Sequence, residues 1–293
     1  MMSVLKVFFF GTGHWSQKYF ENITSKFSNK IKIITIITKN TKFRHPLINV
    51  EFSLNEAIKK FKIPDGFIIC TNPKNNISIL ENIIKFKKPI LIEKPILLPY
   101  QKNLNTISIL SKNHQFKNIT VNHSHFFHKH FIEIFHKLRN YKSYNLKIID
   151  GNFGPYRNFS PIIDWGPHSL GIVSFFLNNK DKYSVIKVRK INYIDHNKFN
   201  TYIKIVSDDN KRTFRILLGN NFQNKKRIIL FKNSYIEKKF DLLDSKNKKV
   251  KTLEYLLEYF YQQSLSKSHN TLFDTYSIAL YSTKMIKDLL SRL

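Results

Sequence analysis

Leu5-Lys6-Val7-Phe8-Phe9-Phe10-Gly11-Thr12-Gly13-His14-Trp15-Ser16 decides the reading of the fold. The apolar run Leu5–Phe10 is a predicted strand, and it enters a G-x-G-x-x-S turn ahead of the helical stretch Trp15–Phe27. Glycines at such a junction permit a tight turn. They also let an anionic ligand approach the backbone, where a helix N-terminus supplies N–H donors and a favourable dipole. The pattern alone is weak; its place directly after a first apolar strand gives it weight. Ser16 stands where a third glycine is usual, and small residues are tolerated there.

Outward from this turn, β-rich runs alternate with helical ones: Ile31–Thr38, Leu54–Phe61, Gly66–Thr71, Ile77–Phe86, Ile90–Glu93, Tyr100–Ser111 and Asn118–His123. This rhythm predicts βαβ units and a parallel sheet. The near-continuous apolar character of Lys32–Thr38 and Gly66–Cys70 fits strands covered on both faces. In such a doubly wound domain, placed at residues 1–121, the glycine turn is a dinucleotide site, with Gly11, Gly13, His14 and Trp15 as candidates. An NAD site normally ends its second strand with an acid for the ribose 2′-hydroxyl. Here that strand ends Thr38-Lys39-Asn40-Thr41-Lys42, with Arg44 close by and no acid. Lys39, Lys42 and Arg44 suit a 2′-phosphate, so NADP(H) is favoured and NAD(H) remains possible.

After Tyr144 the runs Ser184–Tyr193, Tyr202–Asp208, Thr213–Leu218, Arg227–Lys232 and Ser234–Leu242 follow one another with only turn residues between. Apolar and basic residues alternate in Ile186-Lys187-Val188-Arg189 and Phe214-Arg215-Ile216, as an antiparallel sheet with one wet face requires. Asp208-Asp209-Asn210 and Lys232-Asn233 are compatible with hairpin turns. The end of the chain is helical again, with Thr271 and Asp274 resembling a capping box. A second, α+β domain is therefore expected at residues 122–293, with an open, mostly antiparallel sheet.

A length of 293 residues fits two domains, and the single cysteine, Cys70, excludes an intramolecular disulfide framework and suits a reducing cytoplasm. The formal charge is +29, from 49 Lys+Arg and 20 Asp+Glu, which at face value calls for an anionic partner. Two alanines (Ala57 and Ala279) beside abundant Lys, Asn, Ile, Phe and Tyr point instead to a base-composition bias, because those five residues have A/T-rich codons. The lysines are scattered, Lys246 to Lys251 being the nearest thing to a block, so direct nucleic-acid binding is not expected. No apolar run approaches the ~20 residues of a membrane span, and the N-terminal run is too short for a signal-peptide core.

Cys70-Thr71-Asn72-Pro73 and Glu93-Lys94-Pro95 each follow a predicted parallel strand, at the carboxyl edge where such sheets bind ligands. Lys94 there can donate a hydrogen bond or proton to a substrate oxygen; alone, a solvated lysine would be the simpler reading. In Asp164-Trp165-Gly166-Pro167-His168, a helix is expected to start at Pro167, with His168 in its first turn and Asp164 in the loop before it. The imidazole suits proton exchange near neutrality, and the carboxylate can orient it. Taken singly, a cap and a half-buried histidine would account for both. His123 and His125, placed on one strand face, are candidates to touch substrate. Five histidines between His123 and His136 match no common zinc spacing, and no metal is expected. Phe175-Phe176 reads as core.

In this order and at these separations, Gly11-x-Gly13, Thr71-x-Pro73, Glu93-Lys94-Pro95 and Asp164-x-Gly166-x-His168 resemble the Gfo/Idh/MocA oxidoreductases over nearly the whole chain. The resemblance implies an N-terminal Rossmann domain, a C-terminal α/β domain with an open sheet, and hydride transfer between NAD(P) and a sugar-like, polyol or nucleotide-sugar substrate. It implies Lys94, Asp164 and His168 as the active-site trio, and Thr71, Pro73, Glu93 and Lys94 beside the cofactor. It also implies a cis Lys94–Pro95 bond and homo-oligomers built through the open sheet. Asn76 departs from it, standing where a histidine is usual, as does His123-Ser124-His125-Phe126-Phe127 in place of a basic-aromatic cluster. The short approach Gly154-Pro155-Tyr156-Arg157 resembles members of surface-polysaccharide or nucleotide-sugar pathways and makes Tyr156 and Arg157 substrate candidates. The rival readings are a dinucleotide-binding sensor or scaffold without turnover, and an anion binder whose affinity falls steeply with salt.

Overall fold

Strands β1 (Leu5–Phe10), β2 (Ile31–Ile37), β3 (Asn49–Glu51), β4 (Gly66–Ile69), β5 (Ile90–Glu93) and β6 (Ile119–Asn122) form a parallel sheet in the order β3-β2-β1-β4-β5-β6. The computed structural model describes residues 3–99, 118–127, 135–154, 160–243, 252–265 and 274–293 of the chain. The chain divides into two units: Met1–Asn122 with Thr252–Tyr276, and His123–Lys251 with Ser277–Leu293. The expected helix Tyr100–Ser111, the cap at Thr271, the block Lys246–Lys251, and Tyr156 and Arg157 lie outside the described residues.

The first unit has the Rossmann strand order, whose switch point falls between β1 and β4. Its helices are α1 (His14–Lys26), α2 (Leu54–Phe61) and α3 (Pro73–Ile83). Val7, Phe8 and Phe9 are fully buried, which explains why β1 reads as a continuous apolar run. Tyr19 and Phe20 of α1 pack on the Phe9 ring at centroid distances of 5.9 and 4.7 Å. A helix from the far end of the chain, α5 (Thr252–Leu265), buries Leu256, Leu257, Phe260 and Tyr261. Its Tyr261 hydroxyl donates to the Ser3 carbonyl (3.2 Å), and Glu258 pairs with Lys30 (2.6 Å). The Thr275 hydroxyl, from the start of α6 (Thr275–Leu290), accepts from Val121 N (2.9 Å).

Helix α3 begins at Pro73 instead of Ile77, because the Asn72 side chain accepts from Lys74 N and Pro73 occupies the first turn. The three-residue strand β3 was not expected; it is too short to show a period and exists by pairing with β2.

The second unit holds β7 (Tyr144–Phe153), β8 (Tyr183–Asp195), β9 (Lys198–Ser207), β10 (Arg212–Gly219), β11 (Asn221–Lys232) and β12 (Glu237–Asp241), ordered β12-β11-β7-β10-β9-β8. Every neighbouring pair is antiparallel except β7 with β10. The hairpin turns follow the sequence reading: Asp209 accepts from Lys211 N (3.1 Å), and Asn233 accepts from Tyr235 N and Ile236 N (2.8 Å each). Strand β7 was not foreseen. One face of the sheet, with Leu146, Ile148, Phe214, Ile216, Ile203 and Ile205, is buried. Across the opposite face the register aligns Lys239, Leu230, Lys147, Arg215, Lys204 and Lys187 in one row, five of its six positions cationic.

Helix α4 (Pro161–Phe176) replaces the shorter helix expected from Pro167. The Ser160 hydroxyl accepts from Ile162 N, and Pro161 takes the first helical position, so Pro167 falls inside the helix. Fifteen of its sixteen residues are buried, Phe175 and Phe176 among them, and Asp164 is the exception. A helix apolar on all sides belongs to a core.

Candidate functional site

In the first unit the turn after β1 is built by contact with the end of β4. Gly11 has φ +115°, and a Cβ there would lie 2.1 Å from the Cys70 carbonyl oxygen. Only glycine combines that backbone with that approach. Ser16 donates to the same carbonyl (3.2 Å), so the serine in the third-glycine position fastens α1 to the end of β4. Gly13 is the N-cap of α1, makes no side-chain cap, and has open space where a Cβ would be. No acidic residue occupies the first turn. The backbone N–H groups of a 13-residue helix are thus presented at the switch point without a side chain over them, an arrangement suited to a pyrophosphate. His14 and Trp15 are exposed beside it, with Lys18 Nζ 4.1 Å from the Trp15 ring centroid.

Beyond β2 the loop is shaped by its own polar groups. Thr38 Oγ1 accepts from Asn40 N and Asn40 Oδ1 from Lys42 N, both at 3.1 Å. Arg44 donates to the Thr41 and Phe43 carbonyls (2.7 and 2.8 Å), which engages its guanidinium locally. Lys39 and Lys42 are exposed cations of this loop.

The ends of β4, β5 and β6 are tied together by Thr71, Asn76 and Glu93, which the sequence singled out, and by Tyr19 and Asn122, which it did not. The Thr71 hydroxyl donates to Asn76 Oδ1 (2.8 Å), and Asn76 Nδ2 donates to the Pro95 carbonyl (3.0 Å). Asn76 is fully buried, so the departure from histidine produces a two-ended bridge. The Lys94–Pro95 bond is cis, as the resemblance implied. Glu93 accepts from the Tyr19 hydroxyl (2.7 Å) and from the Asn122 amide. Burial pushes the Glu93 carboxyl above its ordinary range, against the pull of Tyr19, Asn122 and Lys94. Burial, with Glu93 second, also raises the Tyr19 phenol well above its usual value and raises the Cys70 thiol.

A raised carboxyl costs stability once it must ionise, so Glu93 contributes stability present below about pH 4.5 and lost as pH climbs through its folded-state value. Glu93→Gln keeps an acceptor oxygen for both donors. The advantage of E93Q over the wild type is expected to grow from pH 5 to pH 8 in urea midpoints, whereas a constant difference would contradict the assignment.

In the second unit Asp164 and His168 lie one helical turn apart on α4 and share a face. His168 is 6% exposed. Its ring stacks on His125 with centroids 4.8 Å apart and planes at 28°. His123 and His125 follow β6 instead of extending it, since the strand ends at Asn122 and Ser124–Phe127 closes a 3₁₀ turn. Both histidines are buried, and the His123 ring lies where a Cβ on Gly171 would come within 3.1 Å of Nδ1, which explains a glycine inside α4. Asp150, 1% exposed within β7, lies 3.3 Å from His125 Nε2 and accepts from the Ser169 hydroxyl (3.3 Å). Arg227 Nε is 3.6 Å from its other oxygen. Sequence reasoning missed Tyr19, Asn122 and Asp150 because each acquires a partner only across the fold. Among the described residues no group of three or more His, Cys, Asp or Glu is placed to hold a metal ion, and no helix is long and apolar enough to cross a membrane.

No protein-family model and no curated protein matches the chain. Solved structures do. The fold is similar to a myo-inositol dehydrogenase from Corynebacterium glutamicum, with TM-score 0.80 and 13% identity over 99% of this chain and 96% of that one. It is similar to the Lactobacillus casei myo-inositol dehydrogenase in complex with NAD(H) and myo-inositol, with TM-score 0.78 and 12% identity over 99% and 94%. It is also similar to a UDP-N-acetylglucosamine 3-dehydrogenase from Acidithiobacillus ferrooxidans, with TM-score 0.76 and 12% identity over 99% and 97%. The chain has the fold of Gfo/Idh/MocA-type dehydrogenases.

Proposed function

We propose that this chain is an oxidoreductase that moves a hydride between a nicotinamide dinucleotide and a carbinol or ketone carbon of a sugar-like, polyol or nucleotide-sugar substrate. The observation that carries the reading is the open, uncapped N-terminus of α1 at the switch point of the β3-β2-β1-β4-β5-β6 sheet. The chemistry of inositol and nucleotide-sugar dehydrogenases of the same fold supports the substrate class.

When bound, the nicotinamide supplies the hydride acceptor or donor. Gly11, Gly13 and the first turn of α1, with His14 and Trp15, hold the pyrophosphate end, and Thr71, Pro73 and Glu93 line the nicotinamide side. Lys94 orients and polarises the reacting oxygen through its ammonium donors, with Asn76 and Glu93 fixing the backbone on either side of it. His168 takes the hydroxyl proton on oxidation and returns it on reduction, so the carbon loses or gains a hydride while the oxygen loses or gains a proton. Asp164, one turn earlier on the same helix, holds His168 or a neighbouring hydroxyl.

NADP(H) is the favoured cofactor in this proposal, on the absence of an acid after β2 and the exposed Lys39 and Lys42. Neighbours of this fold solved with NAD(H) set the opposing case. Lys39→Asp is expected to shift the NADPH/NADH affinity ratio toward NADH by about tenfold in fluorescence titrations, roughly one charge-assisted contact. An unchanged ratio would remove the 2′-phosphate assignment. The overall reading is tested by the same titration on the unmodified protein, followed by a turnover screen over polyols, sugars and nucleotide sugars. Saturable binding without any turnover would favour a silent sensor, and no binding would overturn the proposal.

We also propose that copies associate through the open sheet face of the second unit. Its cationic row sets like charges against each other across three strand pairs, β7–β10, β10–β9 and β9–β8, and against any copy facing it. Association is therefore expected to strengthen between 50 and 500 mM salt in light-scattering measurements, as counterions screen the row; weakening would point to an ion-paired interface.

A further inference from the structure

The second unit encloses a carboxylate that the proposed chemistry does not use. Asp150 sits 1% exposed within β7, and three elements converge on it: His125 from the turn after β6, Ser169 from α4 and Arg227 from β11. A carboxylate removed from water is costly unless its oxygens are matched, so this convergence has to be maintained for the unit to fold. The consequence falls on His168. Ser169 is its neighbour on the helix, and His125 presents one edge to Asp150 and one face to the His168 ring. His125 is pinned at both nitrogens: Nε2 lies 3.3 Å from Asp150 Oδ2, and Nδ1 lies 3.4 Å from the Ser124 hydroxyl. A carboxylate oxygen can only accept, so the Nε2 proton belongs on His125. Stacked rings at 28° cannot exchange a hydrogen bond edge to edge, which excludes a proton relay from His125 to His168 and leaves orientation as the coupling.

We propose that Asp150 and His125 are positioning residues that fix the plane of the His168 imidazole. Asp150 selects the Nε2–H form of His125, and His125 serves as a rigid platform on which His168 lies. This inference rests on the proton-exchange role given to His168 above. His125 is accordingly a support for the proton-exchanging group and not a substrate contact.

Asp150→Asn separates this role from simple packing. Arg227 is a pure donor, so the amide oxygen of the new residue turns toward it and the NH₂ faces His125 Nε2 and Ser169. His125 must then accept at Nε2 and carry its proton on Nδ1, toward Ser124. In protein labelled with ¹⁵N/¹³C-histidine, long-range ¹H–¹⁵N spectra, assigned with H125Q and H168Q, should show His125 as the Nε2–H form in the wild type. D150N should invert it to Nδ1–H and shift the His168 resonances. On whichever substrate the screen identifies, D150N should lower kcat by roughly 10- to 100-fold with KM little changed, the range for partners that orient a functional imidazole.

A folded D150N protein with the wild-type tautomer, or with His168 resonances and kcat both unchanged, overturns the proposal. Should D150N fail to fold, His125→Gln keeps an N–H donor for Asp150 and removes only the ring. Shifted His168 resonances with a fall in kcat in H125Q support the platform, and unchanged ones overturn it. The spectra need no substrate. An inverted tautomer in a protein with no turnover on any compound screened counts against the oxidoreductase reading and not against the Asp150–His125 pair.

Discussion

His168→Ala is expected to lower kcat by roughly 10²- to 10⁴-fold while NADPH binding is kept, the span attributed to one general acid–base group. His168 is on a core helix in the second unit, and the proposed cofactor groups of the first unit are on other segments, so removing the imidazole leaves the α1 N-terminus intact. The ring is largely buried and stacked on His125, so truncation also leaves a cavity. His168→Gln, which fills the space and keeps polar atoms but cannot exchange a proton, is the better-controlled variant and should show nearly the same loss. Stopped-flow absorbance at 340 nm with saturating cofactor is the measurement. Turnover within about threefold of wild type in both variants would contradict the proton role.

The second large effect is steric. Gly11→Ala must place a methyl 2.1 Å from the Cys70 carbonyl oxygen at φ +115°. Strained backbone and overpacking together cost roughly 2–6 kcal/mol. A domain has only about 5–15 kcal/mol in total. G11A should therefore unfold at markedly lower urea and bind no dinucleotide at 37 °C. Gly13→Ala, two residues on, meets nothing within 4 Å and has an ordinary φ of −74°. It should lose at most about 1 kcal/mol, yet bind NADPH at least tenfold more weakly, because its methyl occupies the space meant for the ligand. If G13A bound NADPH as tightly as wild type, the pyrophosphate could not lie against that cap. A difference between two glycines of one motif is what a ligand-shaped turn predicts and a merely tight turn does not.

Much of the first unit was legible because its strands are buried on both faces. Leu5–Phe10 and Ile90–Glu93 could be bounded from apolar runs alone, and Leu54–Phe61 from its period. The start of α4 was misplaced because both Pro161 and Pro167 fit a first helical turn, and only the Ser160 cap decides between them. Strand β7 was missed although Leu146, Ile148 and Asp150 alternate correctly, since its inward set ends in a carboxylate that looks unburiable until His125, Ser169 and Arg227 are seen around it. Likewise Tyr19 and Asn122 sit in ordinary helix and strand positions, and Asn76, though marked as a departure from histidine, gave no sign of its bridge to Pro95. Their partners are 74, 29 and 19 residues away in sequence, distances at which no local pattern carries information.

The parallel sheet is packed against a segment made more than a hundred residues after its sixth strand. Leu256, Leu257, Phe260 and Tyr261 are buried in the first unit, and Phe260 lies 3.5 Å from the position of a Cβ on Gly66. During synthesis, residues up to Asn122 leave the ribosome well before Thr252, so the β1 to β6 sheet must wait for more than a hundred further residues before its covering helix exists. At about 5–20 residues per second, that is a delay of roughly 6–26 s during which the part of the sheet that α5 covers stays open. Contacts this distant in sequence also slow folding from the denatured state. The first unit is thus completed only once residues 252–265 have been made, and a ribosome that stops short of α5 releases a chain suited to chaperones or proteases.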